Sequence, residues 1–155
     1  MSNPNKSHFS ALNRIWKYLN YRPNLGLYYI ADNQSTSTPY LLGYVDADWG
    51  GDIFSRKSTT GYYFTFGKAP ISWSSKLQKS VALSTCEAEY MALKEAVKEY
   101  VYLINLLKDL DIKNSELYYL FTDNQPAIDL AKNPEHHAKS KHIDKINKID
   151  SSIKN

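Results

Sequence analysis

The stretch STCEAEYMALKEAVKEYVYLINLLKDL, Ser84 to Leu110, carries the strongest structural signal in the chain. Ser84 and Glu87 stand at the S-x-x-E spacing of a capping box, in which each side chain satisfies a free backbone donor at a helix start. Neither Gly nor Pro interrupts Ala88 to Leu110. Two apolar stripes run along it at helical spacing, Tyr90-Leu93-Val97-Val101-Ile104 and Ala92-Ala96-Tyr100-Leu103-Leu107. Apolar residues on two faces predict a long helix largely buried against a sheet.

The strands for that sheet lie on both sides. YLLGYVDAD, Tyr40 to Asp48, reads as a strand, followed by the loop WGGDIFSRKSTT. GYYFTFGKAPISWSSK predicts a hairpin, with strands over Tyr62–Phe66 and Pro70–Ser74 and a turn at Gly67-Lys68. ELYYLFTD, Glu116 to Asp123, reads as an interior strand because its middle is continuously aromatic or apolar. NQPAIDLAKN then predicts a short helix, with Asp123 or Asn124 as N-cap and Pro126 in its first turn. Near the start, residues 4–19 form an amphipathic pattern through Ala11, Leu12, Ile15, Trp16 and Leu19 that stops at Arg22-Pro23. LGLYYIAD, Leu25 to Asp32, reads as a further strand, and Ile143, Ile146 and Ile149 predict a weakly amphipathic helix in the tail. Antiparallel strands first, then a strand reached through a helix, describe a mixed α/β sheet.

The 155 residues suit one domain, or one domain with a fragment of another, and 43% hydrophobic content fits a globular chain. No apolar stretch approaches the roughly 20 residues that span a bilayer, and the start is polar, without a secretory leader. The single cysteine, Cys86, excludes an internal disulfide and a cysteine-based zinc cluster, and fits a reducing intracellular compartment. Net charge is +3, mildly basic. Basic residues gather at Arg56-Lys57, at Lys76 and Lys79, and at Lys139, Lys141, Lys145 and Lys148; each cluster alone reads as a solvated face. The 13 tyrosines offer stacking surfaces without singling out a ligand.

Three acidic residues occupy comparable places: Asp46 at a strand end, Glu89 early in the long helix, and Asp123 at the end of YLFTD. If the two strands are neighbours beneath the helix, their carboxylates converge. Converging carboxylates repel one another unless a cation is bound. Hard oxygen ligands without His or Cys favour Mg²⁺ or Mn²⁺, and such a site suits phosphodiester hydrolysis. Each residue also has a plainer reading: Asp46 and Asp48 as turn residues, Glu89 as a charge favoured by the helix dipole, Asp123 as a cap.

The blocks GYVDADWGGD, RKSTTGYYF, PISWSSKLQKSVALSTCEAEYMAL, TDNQPAIDLAKNP and SKHID resemble, in order and separation, the ribonuclease H domain of copia-type retrotransposon polyproteins. The resemblance runs from about residue 41 to 145. Upstream, NPNKSHFSALNRIWKYLNYRPNLGLYY resembles the segment joining reverse transcriptase to that domain. The expected division is therefore a connection-like segment over 1–30 and a ribonuclease H-like domain over 31–155.

The resemblance implies a five-stranded mixed sheet flanked by helices, with acidic residues holding Mg²⁺ (or Mn²⁺). It assigns the catalytic and metal-binding positions to Asp46, Glu89 and Asp123, taking Glu89 in preference to Glu87. Asp48 is implied only as a metal-adjacent neighbour. The implied reaction is hydrolysis of the RNA strand of an RNA–DNA hybrid, chosen through 2′-hydroxyls and minor-groove shape. Arg56, Lys57, Lys76 and Lys79 are the implied phosphate contacts, while Trp49, Trp73, Ser74 and Ser75 are expected to be core and hairpin residues. The reverse transcriptase of the same polyprotein is the implied partner, in a cytoplasmic particle or the nucleus. The ending DKINKIDSSIKN departs from the family's continuation, a last strand and a helix carrying a fourth acidic residue. Their absence is expected here; Asp144 and Asp150 fall in that region, Asp144 within the KHID helix. The departure implies an alternative, a truncated and inactive remnant that at most binds nucleic acid or a polyprotein partner.

Overall fold

The computed structural model describes residues 4–29, 40–112, 119–132 and 148–150. In chain order these form α1 (Lys6–Tyr21), β1 (Leu41–Asp48), β2 (Thr59–Phe66), β3 (Ala69–Leu77), α2 (Thr85–Asp109), β4 (Tyr119–Phe121), α3 (Gln125–Lys132) and β5 (Lys148–Asp150). The strands make one sheet in the order β3-β2-β1-β4-β5. β1, β2 and β3 are antiparallel neighbours, whereas β4 lies parallel to β1 and β5 parallel to β4. This is the ribonuclease H-like mixed sheet flanked by helices.

α2 lies over β1 and β2, and α3 packs against α2. Alternation along β1 turns Leu41, Gly43 and Val45 inward, and they are buried with Phe64 of β2 and Leu120 of β4. Both stripes of α2 supply the opposing surface, with Ala92, Leu93, Ala96, Val97, Tyr100, Leu103, Ile104 and Leu107 all in the core. Tyr100 also closes the far end of the sheet: its hydroxyl donates to the Leu41 carbonyl at 2.5 Å and accepts the Tyr119 N–H at 2.9 Å, joining β1 to β4.

Ser84 caps α2 by accepting the Glu87 N–H at 3.1 Å. Glu87 reaches one residue further back than a capping box requires, accepting the Leu83 N–H at 2.7 Å. The hairpin strands run to Thr59 and Leu77, beyond the expected limits, because the Thr- and Ser-rich flanks continue the antiparallel ladder.

Four expectations are corrected. Leu25–Tyr29 form no strand; their apolar side chains are exposed and, among the described residues, no strand pairs with them. The rest of that expected strand lies outside the described residues. The last strand is present, since Lys148–Asp150 pairs with Tyr119–Phe121. The edge of β4 offers unpaired backbone groups, which overrides the weak helical spacing of the tail isoleucines at these three residues. Trp49 is not a core residue, being 48% exposed in the loop after β1, whereas Trp73 is a residue of the hairpin, on β3, with its side chain 61% exposed. Asp144 and the remainder of the tail lie outside the described residues.

Among the described residues no helix is long and apolar enough to cross a membrane. α1 begins as expected near residue 4, with Asn5 accepting the Ser7 and His8 N–H groups, and every one of its residues is exposed.

Candidate metal centre

The parallel register pairs Leu42 with Tyr119, Gly43 with Leu120 and Tyr44 with Phe121. Two residues further on, Asp46 of β1 comes level with Asp123, which lies two residues past the end of β4. Glu89 comes in from above, in the second turn of α2, where Ala88 and Ala92 are fully buried and let the helix approach closely. Among the described residues, Asp46, Glu89 and Asp123 form a group in which one carboxylate oxygen from each lies within 4.8 Å of the others.

Local chemistry frees each of the three for this site. Asn124, not Asp123, caps α3: its Oδ1 accepts the Ala127 N–H at 2.9 Å. Glu87 serves the helix start, which leaves Glu89 facing the strands. The Ala47 N–H is shared, reaching Asp46 Oδ1 at 2.8 Å and Glu89 Oε1 at 3.2 Å.

Glu89 is 7% exposed, and its second oxygen, Oε2, is buried with no hydrogen-bond partner. Burial pushes its carboxyl up to about 7; the nearby Asp46 and, more weakly, Asp123 add to the rise, and the Ala47 N–H opposes it. An orphaned buried carboxylate oxygen facing two further carboxylates is an unfavourable arrangement for the bare protein. It fits a hard divalent cation, and the donor set contains only oxygen.

The other aspartates of GYVDADWGGD have different surroundings. The Asp48 carboxylate lies against Gly51, where a Cβ would come within 1.9 Å of Oδ2, and Asp48 is not part of the acidic group. Asp52 is a loop residue that accepts the Ser55 N–H at 2.9 Å as well as the Ser55 hydroxyl. These bonds hold its carboxyl below the usual range. They also fold the loop so that Arg56 takes a positive φ of 56°.

Arg56 and Lys57 lie in that loop, Lys76 is near the end of β3, and Lys79 follows it. Ala47 pairs with Thr60 and Thr60 with Lys76, so Lys76 stands in the same cross-strand row as the residue after Asp46. Arg56, Lys76 and Lys79 are exposed and Lys57 is half-buried. The Ala47 N–H had no signature in the sequence, since any non-proline residue supplies the same donor.

The chain matches no protein-family model. It is 48% identical over 144 residues to the retrovirus-related Pol polyprotein from transposon TNT 1-94 of Nicotiana tabacum, covering 93% of this chain and 10% of that one. The Pol polyprotein from transposon RE1 of Arabidopsis thaliana is 40% identical over 92% of this chain and 10% of its own. The chain thus spans about a tenth of the length of these transposon polyproteins. Secreted RxLR effector protein 161 of Plasmopara viticola is 46% identical over 66% of this chain and 69% of its own. Among solved structures, endonuclease V of Ciona intestinalis in complex with DNA aligns over 78% of this chain and 48% of that one, with 11% identity and a TM-score of 0.30.

Proposed function

The chain belongs to the retrovirus-related Pol polyproteins of copia-type transposons, and from that premise we propose that it is a metal-dependent endonuclease hydrolysing the RNA strand of RNA–DNA hybrids during reverse transcription. The observation that carries this reading is the convergence of Asp46 on β1, Asp123 just past the end of the parallel strand β4, and Glu89 on the helix above them, within 4.8 Å. These residues would hold Mg²⁺ or Mn²⁺. When bound, such an ion supplies activation of water and stabilisation of a leaving oxygen.

The protein's own groups prepare the site. The Ala47 N–H orients Glu89 through Oε1 and leaves Oε2 available. Asp46 and Asp123 supply the other two carboxyl groups, at the exposed side of the group. Arg56, Lys57, Lys76 and Lys79 lie at the same end of the sheet and suit contacts with hybrid phosphates, which fix orientation without reading sequence. Discrimination of RNA from DNA would rest on the 2′-hydroxyl. Within the polyprotein, the reverse transcriptase is the natural supplier of the hybrid.

The test is incubation of the chain with a labelled RNA–DNA hybrid and Mg²⁺, beside Asp123→Asn. RNA-strand cleavage that disappears in the variant supports the reading; cleavage that survives in it sinks the assignment. Salt-sensitive hybrid binding with no cleavage in Mg²⁺ or Mn²⁺ would instead mark a domain that binds without cutting.

A further inference from the structure

Gln78 stands just past β3 and is 7% exposed. Its backbone N–H donates to the Ser58 carbonyl at 2.8 Å, which fixes where the side chain begins. The carboxamide nitrogen then donates twice, to Thr60 Oγ1 on β2 at 3.0 Å and to the Ala88 carbonyl on α2 at 2.9 Å. Carboxamide oxygen could not replace nitrogen at the Ala88 carbonyl, because a carbonyl only accepts. The amide is therefore oriented by chemistry.

Its oxygen, Oε1, is buried and has no hydrogen-bond partner. Leaving a buried acceptor unpaired is unfavourable, and a methionine of similar length would fill the space without that penalty. Packing alone does not account for a glutamine here. The two donated bonds do.

Those bonds belong to a closed circuit around the acidic group. Thr60 pairs across the sheet with Ala47. Ala47 donates to Glu89 Oε1, and Ala88, which receives the Gln78 amide, is bonded covalently to Glu89. The helix face at this level is made of Ala88 and Ala92, both fully buried. Alanines allow close approach but interlock poorly with a sheet, so the first turns of α2 are held less firmly by packing than its Leu93-to-Leu107 stretch. Gln78 adds a polar link between β2 and the helix start at that level.

We propose that Gln78 is a positioning residue for the candidate metal centre, clamping the start of α2 to β2 through Ala88 and Thr60 so that Glu89 meets Asp46 and Asp123. The inference rests on the proposed metal-binding reading of those three residues, and it concerns Glu89 alone. Gln78 itself touches neither metal nor substrate.

The test compares Gln78→Met, Thr60→Val, Thr60→Ser and the double variant Gln78→Met/Thr60→Val, with Ile104→Val as a core variant remote from the site. Two quantities are read: Mn²⁺ affinity by calorimetry, and the chemical shift and hydrogen exchange of the Ala47 amide without metal. Gln78→Met and Thr60→Val should each raise the Mn²⁺ dissociation constant about 10–100-fold, the range seen when support of a metal ligand is removed. Thr60→Ser, which keeps the hydroxyl acceptor, should recover most of the affinity, and the double variant should lose no more than the worse single one. The Ala47 amide should shift and exchange faster in Gln78→Met and not in Ile104→Val. Wild-type affinity together with an unmoved Ala47 amide in Gln78→Met overturns the proposal, as does an equal loss of affinity in Ile104→Val. A wild-type chain that binds no Mn²⁺ would count against the metal reading; Gln78 would then be judged on the Ala47 amide, whose movement supports positioning and whose constancy overturns it.

Discussion

The Ala47 N–H donates to Glu89 Oε1 at 3.2 Å, joining residues 42 apart in sequence, and the same hydrogen is shared with Asp46 Oδ1 at 2.8 Å. One backbone donor thus serves two carboxylates. It is too little to offset burial and mutual repulsion, and the Glu89 carboxyl rises to about 7 as a result.

A pH dependence of stability follows. Glu89 moves from an ordinary value of 4.5 to about 7, so the folded chain holds a proton over that window that the unfolded chain releases. Without metal, stability should be greatest below the lower value and fall as pH rises through the upper one, by at most about 3 kcal/mol. Urea titrations in EDTA between pH 5 and 8 measure this. Glu89→Gln should flatten the dependence, and added Mg²⁺ should restore stability at the alkaline end.

Asp46→Asn and Asp123→Asn should separate function from folding. Removing either carboxylate takes away a proposed metal ligand but also relieves repulsion around Glu89. Hybrid cleavage should fall at least about a hundredfold, in line with losses when metal sites are disturbed. Thermal stability in EDTA should stay level or rise. A variant that loses cleavage only because it unfolds would contradict this, and circular dichroism distinguishes the two.

Much of this arrangement was legible in the sequence because it depends on local chemistry. The two stripes of α2, its Ser84 cap and the aromatic hairpin follow from spacing and turn residues, and each stands where those signals put it. Asp46, Glu89 and Asp123 were legible from position as a set only on the condition that their strands are neighbours, and the resemblance supplied that condition, since convergence depends on the parallel pairing of β1 with β4. Leu25–Tyr29 misled because an apolar, tyrosine-rich run is a strand only where a partner strand exists. The three residues of β5 misled in the opposite sense: pairing with β4 outweighs a weak periodicity. Trp49, expected among the core and hairpin residues, instead donates its indole N–H to the Ala82 carbonyl at 3.1 Å while its ring remains half exposed.

The choice between Asp123 and Asn124 as cap of α3 can be tested by stability. Asn124 Oδ1 accepts the Ala127 N–H, so Asn124→Ala should cost about 1 kcal/mol, the usual loss on removing an N-cap. Asp123→Ala, which removes the acceptor altogether, should show no such loss. Chemical denaturation of both variants in EDTA at one pH decides between them, and equal destabilisation would show that Asp123 shares the capping.

Gly43 is the position on β1 where the backbone itself must stay bare. A Cβ there would lie 2.4 Å from Cε1 of Phe64 and 2.6 Å from Cδ1 of Leu120, both fully buried. Neither side chain has room to withdraw, because α2 closes the core above them. Gly43→Ala should therefore displace β1 and cost about 1–3 kcal/mol, the range for overpacking a filled core. β1 also carries Asp46, so the shift should weaken Mn²⁺ binding three residues away. Phe64→Leu removes the ring that meets the new methyl group, and should be less harmful beside Gly43→Ala than in the wild type. A double-mutant cycle on stability measures this coupling. Strict additivity would mean that the strand moves freely, and that the closeness of Gly43 to Phe64 does not hold β1 in register.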